Sequence, residues 1–164
     1  IMDLLWAPWR MAFIKKKKSK AACFLCEMAK GKNTKFLIWK GKYSMVVMNI
    51  YPYNNGHLMV APVKHKKDIN LLDEKESGEI FSAVKKSIQI LTKTMKPEGF
   101  NVGINLGKCA GAGLAGHMHI HIVPRWNGDT NFMPVISSTK IIPQSLEQLS
   151  DILKKSFCTD TKGK

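Results

Sequence analysis

His117-Met118-His119-Ile120-His121-Ile122-Val123 is the stretch whose reading decides the fold. In a strand, residues two apart point the same way, so the three histidines line one surface while Met118, Ile120 and Ile122 line the other. The apolar set is suited to a core. At a rise of roughly 3.3 Å per residue the imidazoles stand about 6 to 7 Å apart, close enough to act on one substrate. A single such histidine reads as a hydrogen-bonded structural residue. Three in register beside the glycine-rich stretch Gly107 to Gly116 point to chemistry. Two chemistries fit: a zinc site with an open position for water, or a histidine nucleophile. Imidazole is partly unprotonated near its ordinary pKa of about 6.5, and covalent capture of phosphorus divides a hard displacement into two easier ones. Asp129 is the one acidic residue near the cluster in sequence, which weighs against a metallohydrolase.

Working outward, Phe100 to Leu106 reads as a strand before the glycine-rich loop, and His117 to Val123 as the strand after it. Upstream, Tyr43 to Met48 and His57 to Ala61 are β-favouring runs separated by turn chemistry in Tyr51-Pro52-Tyr53-Asn54-Asn55-Gly56. The clearest helix runs from about Glu74 to Met95. Its stripe is Ile80, Val84, Ile88, Leu91 and Met95, widened by Phe81, with Asp73 and Glu76 as a capping box and Pro97 and Gly99 as its stop. The order β-β-α-β-β predicts an α+β fold, an antiparallel sheet with a helix on one face. Ser145 to Phe157 reads as a shorter amphipathic C-terminal helix, capped by Ser145 with Gln148 behind it. The whole chain, 1–164, is expected to be a single domain: 1–20 a packed apolar segment and basic loop, 21–124 the core, and 125–164 a C-terminal extension.

With 164 residues, 45% of them hydrophobic, the chain has material for one real core. No stretch reaches the roughly 20 apolar residues of a membrane span, and no signal-like segment opens the chain, so a soluble, cytoplasmic protein is expected. The net charge of +14 is concentrated in Lys15 to Lys18 and in Lys64, Lys66 and Lys67. Such runs serve as a solvated surface or as long-range attraction for polyphosphate. The sequence shows no zinc-finger spacing, RNP-like strand or basic heptads, which argues against a nucleic-acid module. The four cysteines do not form a secreted disulfide framework. Cys23-Phe24-Leu25-Cys26 has C-x2-C spacing, suited to two thiolates on one zinc ion or to a pair of buried thiols.

The run His117 to Val123 resembles the signature of the histidine-triad (HIT) family, His-apolar-His-apolar-His-apolar-apolar. The resemblance extends from about Leu5 to Ile142. It takes in Leu5-Trp6-Ala7-Pro8-Trp9-Arg10, the segment Asn49 to Pro62, and Pro124 to Pro134, which are similar to the branch with bacterial diadenosine tetraphosphate phosphorylases and hydrolases. It implies an antiparallel sheet of about five strands with one long helix and a shorter C-terminal helix, dimerised into one continuous sheet. It also implies His119 as nucleophile, forming a nucleotidyl-histidine intermediate, and His121 as a contact to the phosphate oxygens. Asn49 and His57 would bind ribose and line the nucleotide pocket, and Asn105 would touch phosphate. Gly111 and Gly113 would let backbone N–H groups approach the phosphates. Many relatives carry a serine, threonine or glutamine in that loop to meet the leaving group, where this chain has only Gly, Ala and Leu. Arg125 offers positive charge to a longer polyphosphate or to the surface.

The same resemblance completes the Cys23 and Cys26 pair with His65 and His117, a structural Cys2His2 zinc site, and implies no organic cofactor. The expected activity is cleavage of dinucleoside polyphosphates such as diadenosine tetraphosphate. Alternatives are hydrolysis of nucleoside phosphoramidates or adenylyl-lysine, and a nucleotide-binding regulatory protein with little turnover. Water and phosphate both remain open as the group that resolves the intermediate.

Overall fold

The computed structural model describes residues 23–130 and 142–161. The N-terminal segment, the basic run at 15–20 and the stretch 131–141 lie outside the described residues. The elements are α1 (Phe24–Ala29), β1 (Leu37–Lys40), β2 (Ser44–Met48), β3 (Leu58–Pro62), α2 (Glu74–Met95), β4 (Gly99–Ile104), β5 (Ile120–Arg125) and α3 (Leu146–Thr161). Two 3-10 turns, Thr34–Phe36 and Ile69–Leu71, join them. The five strands form one antiparallel sheet in the order β1-β2-β3-β5-β4.

Register explains how one sheet carries both a core and a site. Across it, Met48, Leu58, Ile122 and Val102 lie opposite one another, and so do Val47, Met59, His121 and Gly103. Side chains alternate along each strand, so these two rows face opposite ways. Met48, Leu58, Val60, Ile120 and Ile122 pack with Ile80, Val84 and Leu91 of α2 and with Leu149, Leu153 and Phe157 of α3. The C-terminal helix is therefore part of the core. On the other face Met45, Val47, Met59 and Ala61 are covered by Leu25 and Met28 of α1.

The long helix has the predicted bounds because its start is spelled in side chains. Asp73 accepts from the Glu76 N–H at 2.8 Å, and the Glu76 carboxylate accepts from the Asp73 N–H at 3.0 Å. This reciprocal pair satisfies two orphan donors of the first turn. Lys96, in the left-handed region with φ of +48°, ends the helix. Three expectations need correction. Phe81 is exposed and does not widen the buried stripe. α3 runs past Phe157 to Thr161. The strand predicted from His117 begins its ladder only at Ile120, because the Met118 N–H goes sideways to the Lys66 carbonyl at 2.7 Å.

The turn between β2 and β3 closes tightly on α2. Gly56 has φ of +74°, and a Cβ there would stand 2.6 Å from Sδ of Met95. An L-residue is strained at that φ whatever the space around it. Gly56→Ala is expected to destabilise the fold by about 1 to 2 kcal/mol. The signature is a lower urea midpoint with an unchanged slope; an unmoved midpoint would show that this turn is not held in its left-handed form.

Candidate active site and metal centre

His117, His119 and His121 are all buried. Their hydrogen bonds determine which nitrogen of each neutral ring carries the proton. Nδ1 of His119 lies 2.9 Å from the His117 carbonyl. A carbonyl only accepts, so Nδ1 holds the proton and Nε2 the lone pair. At His57 the roles of the two nitrogens are reversed. The Tyr53 amide N–H donates to His57 Nδ1 at 3.0 Å, and the Asn49 amide nitrogen lies 3.2 Å from the same atom. Nδ1 is thus the acceptor and Nε2 carries the hydrogen. That Nε2 stands 2.9 Å from His121 Nδ1, which must accept. His121 is left with an Nε2–H donor. The His119 and His121 rings meet edge to face with centroids 4.8 Å apart, so a lone pair and a donor sit side by side on one face.

Nothing in the sequence singles out Tyr53, yet it supports the site twice. Its amide orients His57, and its ring lies 4.6 Å from the His57 centroid and 5.5 Å from that of His121. No sequence signal marks a backbone amide for such a task. Asn49 is steered by the Tyr51 N–H, which donates to its Oδ1 at 2.9 Å. Asn105 follows the end of β4 and is half-buried. Gly111 and Gly113 lie in the turn-rich loop between β4 and β5, where the Gly111 N–H is already donated to the Lys108 carbonyl. Arg125 is not a free cation. It makes a two-pronged contact with Asp129, at 2.6 and 3.0 Å, and a third bond to Asn101 Oδ1 at 2.7 Å. The Arg125 guanidinium holds the Asp129 carboxyl well below the usual carboxylate range. Asp129 also accepts from Asn54 at 2.7 Å, so the one acid near the histidines in sequence is fully engaged.

Cys23, Cys26, His65 and His117 come together, with one donor atom from each and all four within 4.8 Å of one another. His117 Nδ1 lies 3.3 Å from Cys23 Sγ and 3.5 Å from Cys26 Sγ, and His65 Nδ1 lies 3.2 Å from Cys26 Sγ. A tetrahedral ion with sulfur at about 2.3 Å and nitrogen at about 2.0 to 2.1 Å sets its ligand atoms roughly 3.3 to 3.8 Å apart. The donor set fits. His117 Nε2–H donates to the Pro62 carbonyl at 2.8 Å, which leaves Nδ1 as the lone pair facing the sulfurs. Burial, then the neighbouring Cys23 thiol, pushes the Cys26 thiol up in the metal-free pair. Two adjacent thiolates need a cation between them.

A clamp holds the backbone between the two centres. Lys66, next to His65, binds the buried Glu76 at the start of α2 and the Leu71 carbonyl, while its own carbonyl takes the Met118 N–H. In the sequence Lys66 belongs to a solvated run and Glu76 to a helix cap; nothing there announces that they meet.

Residues 30–128 match the HIT domain family. The chain belongs to that family. It is similar to the AP-4-A phosphorylase of Mycobacterium tuberculosis, 37% identical over 161 residues, covering 93% of this chain and 83% of the relative. It is also similar to the adenosine 5'-monophosphoramidase of Schizosaccharomyces pombe, at 28% over 130 residues, covering 79% of this chain and 94% of that one. Among solved structures, a Zn-bound histidine triad family protein from Mycobacterium smegmatis superposes with a TM-score of 0.70. It shares 21% identity and covers 87% of this chain and 98% of its own, which shows the fold.

Burial, and secondarily the charge of His119, pushes His121 down to about 4. The unfolded chain takes up that proton below its ordinary value of about 6.5, and the folded chain does not until about 4. Stability is therefore greatest above pH 6.5 and falls as pH drops toward 4, by roughly 3 kcal/mol for this residue. His121→Gln keeps an acceptor for His57 and is expected to flatten that part of the curve. Urea unfolding of both proteins between neutral pH and about 4 tests this; curves that stay parallel assign the loss to other groups.

Proposed function

We propose that this protein is an enzyme that cleaves dinucleoside polyphosphates, diadenosine tetraphosphate among them, through a nucleotide carried on His119. The observation that carries the reading is the bond from His119 Nδ1–H to the His117 carbonyl, which aims the Nε2 lone pair onto the face where His121 presents its N–H. His119 Nε2 attacks the α-phosphorus, the bond to the bridging oxygen breaks, and ATP leaves with the electron pair. The His117 carbonyl meets the positive charge growing on the imidazole, and His121 donates to a non-bridging oxygen. Asn49 and His57 line the nucleotide pocket, with Asn105, Gly111 and Gly113 toward the phosphates.

The 37% identity to a phosphorylase supports inorganic phosphate as the second nucleophile. Its oxygen attacks phosphorus, the P–N bond breaks, and ADP is released, so the products are ADP and ATP. With water instead they are AMP and ATP. Incubation with diadenosine tetraphosphate is expected to give ADP only when phosphate is supplied, and His119→Ala to lower turnover by roughly a thousandfold or more. Release of AMP irrespective of phosphate selects the hydrolase. Turnover confined to adenosine phosphoramidate selects the activity named for the Schizosaccharomyces pombe relative, and nucleotide binding without turnover selects a sensor.

Zinc is the ion that suits two thiolates and two imidazoles, and Cys23, Cys26, His65 and His117 would hold it. With four protein ligands it supplies structure and leaves no position for substrate. The Mycobacterium smegmatis protein, Zn-bound and of the same fold, supports this choice. β4 ends the sheet with Val102 47% exposed, and pairing of that edge with a second copy would cover it. No helix among the described residues is long and apolar enough to cross a membrane, and cysteines held as thiols rather than disulfides suit a reducing compartment such as the cytoplasm. Native mass spectrometry reads both proposals at once. A homodimer with one zinc per chain is expected, and Cys26→Ser should lose the metal. A metal-free wild type or a monomeric mass removes the corresponding claim.

A further inference from the structure

A concavity lies on the same face as the histidines, farther along β5. Val123 follows His121 by two residues and Arg125 by four, steps of about 6.6 Å each on one side of the strand. Tyr53, Asn54, Asn101, Val123, Arg125 and Thr130 line a pocket of about 290 Å³ there. This volume stands at the low end of ligand sites, roughly 300 to 1,000 Å³, and suits one nucleoside-sized group. The way from His121 is open. Gly103 pairs with His121 in register, and a Cβ built on it would meet nothing within 4 Å.

The lining says which part of a substrate fits. The charge of Arg125 is already matched by Asp129, so the pocket is poorly suited to another phosphate. Arg125 still has two N–H groups beyond its three bonds, held in a fixed plane by Asp129 and Asn101. Tyr53 is 44% exposed and offers part of its ring as a wall, and Val123 adds an apolar surface. An aromatic wall with amides, a hydroxyl and oriented N–H donors reads the face and edges of a heterocycle. We infer that this pocket holds the distal nucleoside of a dinucleoside polyphosphate, the one that departs with the leaving group, while the phosphate chain runs past His121 and Gly103. The inference rests on the reaction proposed above for its ligand class. It also gives the leaving half a place to bind in a chain whose glycine loop offers no hydroxyl or amide side chain from Ala110 to Leu114.

The test is a binding measurement that does not need turnover. In the His119→Asn background, titration calorimetry compares diadenosine tetraphosphate with adenosine tetraphosphate, which has the same first nucleoside and phosphates but no second nucleoside. Adding Thr130→Ala, an exposed wall residue of the pocket, is expected to weaken the dinucleotide by roughly fivefold, as loss of one hydrogen bond would, and the mononucleotide by less than about twofold. Asn101→Ala, at an exposed position of β4, should weaken the dinucleotide several-fold in the same selective way. Equal losses for both ligands in both variants, or no loss in either, overturn the inference. The catalytic reading fails separately: a wild type that binds the dinucleotide selectively and never cleaves it keeps the pocket and loses the reaction.

Discussion

A backbone N–H can only donate, and the proton positions of His57 and His121 follow from one such group. The Tyr53 amide donates to His57 Nδ1, His57 must then donate from Nε2, and His121 must accept on Nδ1. An imidazole that accepts on one nitrogen offers a hydrogen on the other. No side chain of Tyr53 is needed for this relay, only the path of the turn that brings its amide to the ring. His119 is set by an independent bond to the His117 carbonyl, of opposite sense. Two neighbouring imidazoles are thereby given different faces to the same substrate, one a lone pair and one a donor.

Keeping His121 neutral at working pH is a matter of burial, and burial comes from the sheet. Ile120 and Ile122 alternate with the histidines and are sealed under α2 and α3, so β5 cannot rotate to relieve the desolvation of His121. The apolar face and the reactive face are one device. On the reactive side α1 covers β2 and β3 and meets the first of the three histidines, His117, through Cys26.

Much of this is legible in the sequence, and the parts that are not have physical reasons. α2 can be read to the residue because Asp73 and Glu76 spell out its cap. The alternation of histidine and apolar residues gives two faces, although the ladder starts at Ile120: an extended chain alternates whether or not its amides are paired. β1 has four residues and a shifted register against β2, too short to display a period. α1 has six residues and no side-chain cap. The spacing of Cys23 and Cys26 announces a thiol pair, while His65 and His117 join it through family resemblance, since nothing local links residues so far apart. Arg125 looks available for substrate in the sequence because a charge there carries no sign of its partner, here Asp129. Tyr53, acting through its amide, is invisible for the same reason.

The contacts at the two ends of α2 have a mechanical meaning. At its start the buried Glu76 grips Lys66, beside the metal ligand His65; at its end Met95 bears on Gly56, beside His57. A helix of 22 residues is a rod of about 33 Å, stiff along its axis. It acts as a calliper, keeping the metal loop at one end of the reactive face and the histidine relay at the other at a set separation. Losing four residues from its middle would shorten the rod by about 6 Å and turn its far end by about 40°, so both jaws could not close together. The length of this helix is therefore a dimension of the site, although none of its side chains is among those proposed to meet the nucleotide.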